Sequence, residues 1–252
     1  MNELLLKIQD CYKDQRASAL CIVTRINGSV PGKTGSKMIV YNDGKITGTV
    51  GGGAIEQQVI EDALNAIKAK IPVMNEYNLK TDVAMSCGGK VTVYIEPLLK
   101  PAQLYIFGAG HIGKYLAAYA PDMGFEATLI DWREDAFQDP HTVNYNQIRK
   151  PYLDAIENIR FDNDTYCVIV TPNHDMDEDV LAALGKKTTA YLGLIGSKRK
   201  IATLTERFLK ENILTQKELD KVDMPIGIKI KANSPAEIAI SILAKLIDVK
   251  NH

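Results

Sequence analysis

The stretch 104–120, LYIFGAGHIGKYLAAYA, decides the fold of the second half of this chain. A short apolar run leads into Gly108, Gly110 and Gly113, and a helical pattern follows them. Glycines at this spacing allow a tight turn and let a diphosphate approach the backbone at the positive end of a helix. Asp131 ends the next apolar run, where a carboxylate that binds ribose is expected. The stretch therefore predicts a strand, a diphosphate-binding turn and a helix.

Strand and helix patterns alternate after this stretch. Further strands are predicted in ATLID, YCVIVT, AYLGLIG and IGIKI, and helices are predicted to begin at Asp177 and Lys198. Ser234 and Glu237 form the pattern of a capping box, which predicts a last helix. Such alternation is typical of a doubly wound parallel sheet with helices on both faces. We therefore predict a Rossmann-like α/β domain at residues 101–252.

The first half of the chain has a different pattern. A helix is predicted at residues 2–15, strands in ALCIVTRI, SKMIVY, KITGTV and KVTVYIEPL, and an amphipathic helix in AIEQQVIEDALNAIKA. Gly-rich turns separate the strands, and the prolines of EPLLKPAQ end the last one. We predict a small N-terminal α+β domain at residues 1–100.

Composition excludes several classes of protein. A net charge of −1 gives no electrostatic basis for nucleic-acid binding. No apolar run approaches the roughly 20 residues of a membrane helix, and MNELLLKIQD lacks a signal-peptide layout, so a cytoplasmic location is expected. The 4 cysteines include no C-x-x-C pair, which indicates neither a disulfide framework nor a zinc knuckle. No residue is assigned to a metal with certainty.

Two Gly-rich segments of the N-terminal half are candidate binding loops. GTVGGGAIEQ places Gly51, Gly52 and Gly53 directly before a helix, where backbone N–H groups form a nest for an anion. Three glycines also suit a plain tight turn, and the sequence leaves both interpretations open.

The second segment, MSCGGKV, places Cys87 beside Gly88 and Gly89, in a loop rather than a strand. A thiol in such a setting can act as a nucleophile or a sulfur carrier. A plain buried cysteine is the alternative interpretation.

Two histidines lie where ligands bind such a sheet, beyond the carboxyl ends of its strands. His111 lies inside the glycine loop, where it donates to a phosphate or only caps the helix. His174 follows the strand YCVIVT together with Asp175 and Asp177. This group binds a ligand or metal, or caps the next helix. Capping is favoured for Asp177, and His174 is the candidate catalytic residue.

Basic residues follow two other strands. Ser197, Lys198 and Arg199 in LIGSKRK would meet an anion at a helix start, or form a solvated basic turn. Arg133 is placed to face a ribose 2′-phosphate, whereas its neighbour Asp131 argues against one.

Six segments together resemble the XdhC/CoxI family, the xanthine dehydrogenase accessory proteins. They occur in the family's order and span nearly the whole chain: GSVPGKTGSKMIV, GTVGGGAIE, SCGGKVTVYIEPL, IFGAGHIG, GLIGSKRK and PIGIKIKANSPAEIAISILAKL. The resemblance implies a small N-terminal domain and a Rossmann-like C-terminal domain. It also implies a chaperone that binds molybdenum cofactor, as molybdopterin or its dinucleotide, and assists the exchange of an oxo for a sulfido ligand.

The resemblance further implies delivery of the cofactor to a molybdenum hydroxylase apoenzyme, with a cysteine desulfurase as a further candidate partner and a homodimer as the expected assembly. By the same resemblance, the cofactor site is lined by Gly51 to Gly53, Cys87 and Gly108 to Gly113.

Two other functions stay open on the residues alone. In an NAD(P)-dependent oxidoreductase, Asp131 would bind ribose and His174 or Lys198 would act on the substrate. In a partner subunit of a hydroxylase, the glycine loop would bind NAD(P) without turnover.

Overall fold

A computed structural model of the chain describes residues 2–13, 16–78, 89–137 and 145–252. The chain divides into two compact units, Met1–Lys100 and Pro101–His252. Within the described residues, every buried hydrophobic cluster draws its members from one unit only. Each unit therefore has a core of its own.

The N-terminal unit is an antiparallel sheet of the α+β type. Its elements are α1 (Asn2–Lys13), β1 (Ser18–Asn27), β2 (Lys37–Tyr41), β3 (Ile46–Gly48), α2 (Ala54–Ala69), β4 (Val73–Asn78) and β5 (Lys90–Leu98). The sheet order is β3-β2-β1-β5-β4. Alternate residues of β2 point to opposite faces: Met38 and Val40 join the core under α2, whereas Ile39 and Tyr41 join a smaller cluster with Cys11 of α1.

The C-terminal unit is a parallel sheet covered by helices, and it confirms the predicted Rossmann-like α/β class. Its strands are β6 (Ala102–Phe107), β7 (Phe125–Ile130), β8 (Asn146–Ile148), β9 (Thr165–Ile169), β10 (Tyr191–Leu194) and β11 (Val222–Asp223). Its α-helices are α3 (His111–Tyr119), α4 (Tyr152–Asn158), α5 (His174–Leu184), α6 (Lys198–Lys210), α7 (Gln216–Leu219) and α8 (Pro235–Asn251). Short 3-10 helices span Ala120–Met123 and Glu134–Phe137.

The order of this sheet is β11-β10-β9-β6-β7-β8. Successive strands run outward from β6 to one side and from β9 to the other, so the topology switches between β6 and β9. Ligands of open α/β sheets bind beyond the carboxyl ends of the strands at such a switch point. The glycine loop after β6 lies at this position.

The last helix, α8, begins as its sequence predicts. The Ser234 side chain accepts a hydrogen bond from the Glu237 N–H, and the Glu237 carboxylate accepts one from the Ser234 N–H, which completes the capping box. Across the described ranges, α8 included, no helix combines the length and the apolar character needed to cross a bilayer.

The strand predicted in IGIKI is wrong. Gly227 adopts a φ of +97°, a conformation that glycine tolerates and that interrupts extended backbone. The Ile228 N–H then donates to the Ser241 carbonyl of α8 at 3.2 Å, and the Ser241 hydroxyl donates back to the Ile228 carbonyl at 2.6 Å. The segment therefore bonds to a helix, and the two-residue β11 forms the edge of the sheet instead.

Candidate functional site

The glycine loop between β6 and α3 is held by close backbone packing. Gly108 has a φ of +119°, and a Cβ atom on it would lie 2.3 Å from the Val170 carbonyl oxygen. A Cβ atom on Gly113 would lie 1.9 Å from the Gly108 carbonyl oxygen. Neither position accepts a side chain, because both distances fall far inside van der Waals contact. These two glycines fix the shape of the loop.

Gly110 differs from its neighbours because it faces open space. It is the N-cap residue of α3, and a Cβ atom built on it would meet no heavy atom within 4 Å. No described side chain caps this helix, and His111 is exposed at its first position. The helix start thus has no side-chain cap and is open beside Gly110, and this geometry fits a phosphate or diphosphate.

Asp131 directly follows β7 and is fully buried, with 0% of its surface exposed. Its Oδ2 atom accepts hydrogen bonds from the Ala109 N–H at 2.9 Å, from Arg133 Nη2 at 2.8 Å and from the Tyr152 hydroxyl at 3.3 Å. Its Oδ1 atom accepts from the N–H and Nε of Arg133 at 3.1 and 3.0 Å. The carboxylate predicted to bind ribose is therefore engaged inside the protein and ties the glycine loop to the end of β7.

The charge of Asp131 is stabilised in place. Burial alone would raise its pKa, but the hydrogen bonds from the Arg133 guanidinium and from the Ala109 and Arg133 N–H groups outweigh burial and hold the pKa below its usual value. The same pairing raises the pKa of Arg133. Asp131 is therefore an ionised, buried partner of Arg133.

An aromatic cavity lies beside this ion pair. It has a volume of about 330 Å³, and Trp132, Tyr152, Met176 and Val180 contribute to its lining. The Trp132 ring packs edge-to-face on the Tyr152 ring, with 5.2 Å between the centroids. This cavity suits a flat ring.

His174 and Asp177 lie at the start of α5, after β9. The Asn173 side chain caps the helix by accepting a hydrogen bond from the Asp175 N–H at 3.2 Å, so the capping role predicted for Asp177 is wrong. Asp177 instead accepts from the Thr171 N–H at 3.1 Å and from the Thr171 hydroxyl at 2.7 Å. Burial raises the pKa of Asp177 to about 6, against the opposite effect of these hydrogen bonds. His174 Nδ1 lies 3.6 Å from Asp177 Oδ2.

The basic segment after β10 begins α6. Ser197 caps this helix by accepting a hydrogen bond from the Lys200 N–H at 3.3 Å. Ser197 and Arg199 line a second cavity together with His174, whereas Lys198 does not line it. Lys200 was not predicted as a neighbour of His174, because nothing in their spacing relates two helices that follow different strands.

In the N-terminal unit, the glycine loop before α2 surrounds the side chain of Glu56, which lies in the first turn of α2. Glu56 Oε1 accepts hydrogen bonds from the N–H groups of Val50 at 3.3 Å and of Gly52 at 3.0 Å, and from the Thr49 hydroxyl. The Gly51 N–H donates to Thr49 Oγ1 at 3.1 Å. Gly53 is the N-cap of α2. The predicted anion nest thus holds the Glu56 carboxylate.

Three glycine-containing loops meet in this unit. A Cβ atom on Gly51 would lie 2.3 Å from the Pro31 carbonyl oxygen, and one on Gly32 would lie 2.9 Å from the Val50 carbonyl oxygen. A Cβ atom on Gly89 would lie 2.8 Å from the carbonyl oxygen of Ser29. The structure therefore brings the loops at Gly32, Gly51 and Gly89 into contact with one another. Cys87 and Gly88 lie outside the described residues.

Among the described residues, no three His, Cys, Asp or Glu side chains cluster in a way that could hold a metal ion. The open glycine loop at the switch point of a parallel sheet instead defines the C-terminal unit as a Rossmann-type domain with a candidate phosphate site.

Family models agree with this assignment. The XdhC Rossmann domain matches residues 104–246, and the XdhC and CoxI family model matches residues 11–78. The chain belongs to the XdhC and CoxI family, which confirms the resemblance seen in its motifs.

Three curated relatives are similar to the chain. YqeB of Escherichia coli K12 is 32% identical over 93% of this chain and 44% of its own length. A probable xanthine dehydrogenase subunit of Bacillus subtilis 168 is 26% identical over 63% of this chain and 46% of its own length. The chain thus spans less than half the length of these two. The molybdenum cofactor insertion chaperone PaoD of E. coli K12 is 21% identical over 94% of this chain and 85% of its own length.

A crystal structure of a xanthine dehydrogenase from Bacillus halodurans has a similar fold. The TM-score is 0.53 at 20% identity, over 98% of this chain and 95% of the other. At this identity the likeness concerns the fold alone.

Proposed function

We propose that the chain is a maturation factor that binds molybdenum cofactor, assists its sulfuration and promotes its insertion into a molybdenum hydroxylase of the xanthine dehydrogenase type. The observation that carries the proposal is the glycine loop, which is open at Gly110 while Asp131 is engaged internally. Membership of the XdhC and CoxI family and similarity to a molybdenum cofactor insertion chaperone support the same function.

The loop and its surroundings fit the cofactor's chemistry. The N–H groups at the start of α3 suit the terminal phosphate of molybdopterin or the diphosphate of its dinucleotide. The aromatic cavity at Trp132 and Tyr152 suits a flat ring. The cofactor supplies the metal centre that the client enzyme needs, and this chain binds and orients it. Cys87 stays a proposed sulfur relay or metal contact, and Gly51 to Gly53 stay a proposed second contact.

The geometry gives less support to a nicotinamide-dependent oxidoreductase. Such an enzyme needs a carboxylate free to accept hydrogen bonds from the ribose hydroxyls. Both oxygens of Asp131 already accept bonds from the protein, and the side chain has no exposed surface. Arg133 is held by Asp131 in the same way, which leaves NAD(P) binding as the weaker alternative.

The proposal is tested by anaerobic binding of isolated molybdenum cofactor, in parallel with NADH and NADPH. Gly110→Ala adds one methyl group where no heavy atom of the described protein lies within 4 Å, so it blocks a phosphate without altering the core. We expect it to weaken cofactor binding at least about tenfold, or ~1.4 kcal/mol. Ala118→Ser, on the exposed side of α3, is the matched control and leaves binding unchanged. Turnover of NADH or NADPH without cofactor binding would contradict the proposal.

The partners follow from this function as further proposals. The proposed partners are a molybdenum hydroxylase apoenzyme, which accepts the cofactor, and a cysteine desulfurase, which donates sulfur. We also propose that the chain forms a homodimer and is located in the cytoplasm. Reconstitution of apo-hydroxylase with cofactor-loaded protein, with and without a desulfurase and cysteine, tests the first two. Sedimentation equilibrium tests the assembly.

A further inference from the structure

The C-terminal unit contains a cavity that the proposed function does not use. It has a volume of about 450 Å³ and lies beyond the carboxyl end of β10, between the start of α5 and the length of α6 from Ser197 to Arg207. Its described lining includes neither the glycine loop nor Asp131 or Arg133. This volume lies within the range of pockets that bind small molecules.

The charged groups of this cavity do not balance. Arg207 pairs with Glu178, which leaves neither charge uncompensated. In the part of the chain that the structure describes, Arg199 and Lys200 have no carboxylate within ion-pair distance. The lining holds three cations, Arg199, Lys200 and Arg207, against the two carboxylates Asp177 and Glu178, and this excess of positive charge favours an anion.

His174 fixes the position of one of these charges. Its Nδ1 atom faces the buried Asp177 carboxylate at 3.6 Å, and its Nε2 atom contacts Lys200 Nζ. Lys200 Nζ also lies 3.4 Å from Nδ1, so the imidazole lies between the Asp177 carboxylate and the Lys200 ammonium. Asp177 therefore orients His174, and His174 holds the Lys200 ammonium at the cavity.

The rest of the lining determines what accompanies the anion. Leu194, Ile195, Ile201 and Leu204 form an apolar wall. The N-termini of two helices, α5 and α6, border the opening and add partial positive charge. A ligand that contacts both the positive groups and the apolar wall has an anionic head and an apolar body.

We propose that this cavity is a second ligand site, which binds a phosphomonoester with an apolar, ring-sized body through Arg199 and Lys200. A phosphomonoester carries nearly two negative charges at neutral pH, and Arg199 and Lys200 supply two cations that form no ion pair with a carboxylate among the described residues. It also offers three oxygens to the guanidinium, the ammonium and the first N–H groups of α6, more than a carboxylate offers.

The test is calorimetric titration of the full chain with 1-naphthyl phosphate. Inorganic phosphate, 1-naphthol and 1-naphthoate serve as partial probes, because each lacks the body, the charge or the phosphate. We expect saturable binding of one equivalent of 1-naphthyl phosphate, at least about tenfold tighter than any of the three. Absence of saturation up to about 10 mM, or tighter binding of 1-naphthoate, would overturn the proposal.

Variants assign the probe to the cavity. Arg199→Gln and Lys200→Gln are expected to weaken 1-naphthyl phosphate binding about tenfold each. Lys198→Gln is the matched control, because it removes the same charge from the same helical turn without lining the cavity, and it changes affinity by less than about twofold. Equal losses in Lys198→Gln and Arg199→Gln would show diffuse surface attraction and refute the site.

Two further readouts separate this site from the glycine loop. Gly110→Ala leaves 1-naphthyl phosphate binding intact, whereas loss of binding in that variant would place the probe at the loop and sink the proposal. The imidazole NMR signals of His174, assigned with His174→Gln, shift on addition of the probe if it lies against Lys200. Unmoved signals at saturation contradict the proposal. Thermal unfolding of each variant verifies that it is folded.

Discussion

At the scale of single residues, Asp131 and Asp177 show how environment sets the role of a carboxylate. Asp131 is buried with a guanidinium and several N–H donors, and its pKa is held below the usual value. Asp177 is buried with one threonine and faces an imidazole, and burial raises its pKa to about 6. The charged form of Asp131 stabilises the folded protein. Burial of Asp177 instead favours its protonated form in the folded protein.

Asp131→Asn is expected to lower the free energy of unfolding by about 3 kcal/mol at pH 7, because it removes one member of a buried ion pair. A lowered pKa in the folded state contributes stability above the unfolded value near 3.9, and this contribution is lost as the pH falls through the folded pKa. The difference between wild type and variant therefore shrinks below about pH 4. Urea unfolding from pH 3 to 7 measures it. Glu157→Gln, on the exposed face of α4, is the control; a comparable loss there would contradict the argument.

Asp177→Asn tests the opposite pH dependence of stability, which is expected for a carboxyl group whose pKa is raised by folding. Between the unfolded pKa near 3.9 and the folded value of about 6, the folded state binds more protons than the unfolded state, so stability falls as pH rises. We expect wild type to lose up to about 3 kcal/mol relative to the variant between pH 4 and pH 7. The asparagine oxygen still accepts from Thr171. His174 faces this carboxylate and Lys200 contacts His174, so a constant difference across this range would mean that their charges cancel the effect of burial.

At the scale of elements, the turn from β6 to α3 contains glycines that are needed for two different reasons, packing within the protein and access for a ligand. Gly113 is required by packing, because a side chain there would overlap the Gly108 carbonyl. Gly110 is required by no contact within the protein. A glycine that the fold itself does not need is the position at which a ligand is expected to approach the backbone.

Gly113→Ala is therefore expected to destabilise the protein by several kcal/mol, on the order of 3 or more, because its Cβ would overlap the Gly108 carbonyl oxygen. Gly110→Ala is expected to cost about 1 kcal/mol or less, which is the size of the N-cap preference for glycine over alanine. Chemical denaturation of both variants measures the contrast. Equal losses would mean that the loop is packed differently from the geometry described above.

Elements with strong local signals were predictable from sequence. The bounds of α2 agree with the amphipathic run, and the capping box at Ser234 begins α8. β4 was missed because it is a polar edge strand whose Met74 is 63% exposed, so it lacks an apolar pattern. IGIKI has the composition of a strand, but Gly227 turns it towards α8.

The site was predictable in part, for a related reason. The glycine spacing identified the loop, because backbone conformation requires those residues. The hydrogen bonds to Asp131 could not be predicted from the sequence, because they come from the side chain of Arg133, two residues later, and from Tyr152 of α4. The contact between His174 and Lys200 joins helices that follow different strands.

At the scale of the whole molecule, the two units have separate cores. The clusters around β6 and β9 draw only on residues after Pro101, and those around β1 and β2 only on residues before Lys100. The glycine loop, the aromatic cavity and the cavity lined by Arg199 and Lys200 all belong to the C-terminal unit. Binding of 1-naphthyl phosphate at the cavity of Arg199 and Lys200 is therefore expected to need only that unit.

A fragment of residues 101–252 is accordingly expected to fold alone and to unfold cooperatively, because a domain of roughly 150 residues buries enough apolar surface for independent stability. Its affinity for 1-naphthyl phosphate should lie within about threefold of that of the full chain, a difference below ~1 kcal/mol. Calorimetry and near-ultraviolet circular dichroism test folding, and the same titration tests binding. A fragment that folds but no longer binds the probe would show that residues 1–100 complete the cavity, and a fragment that does not fold would contradict the separation of the cores.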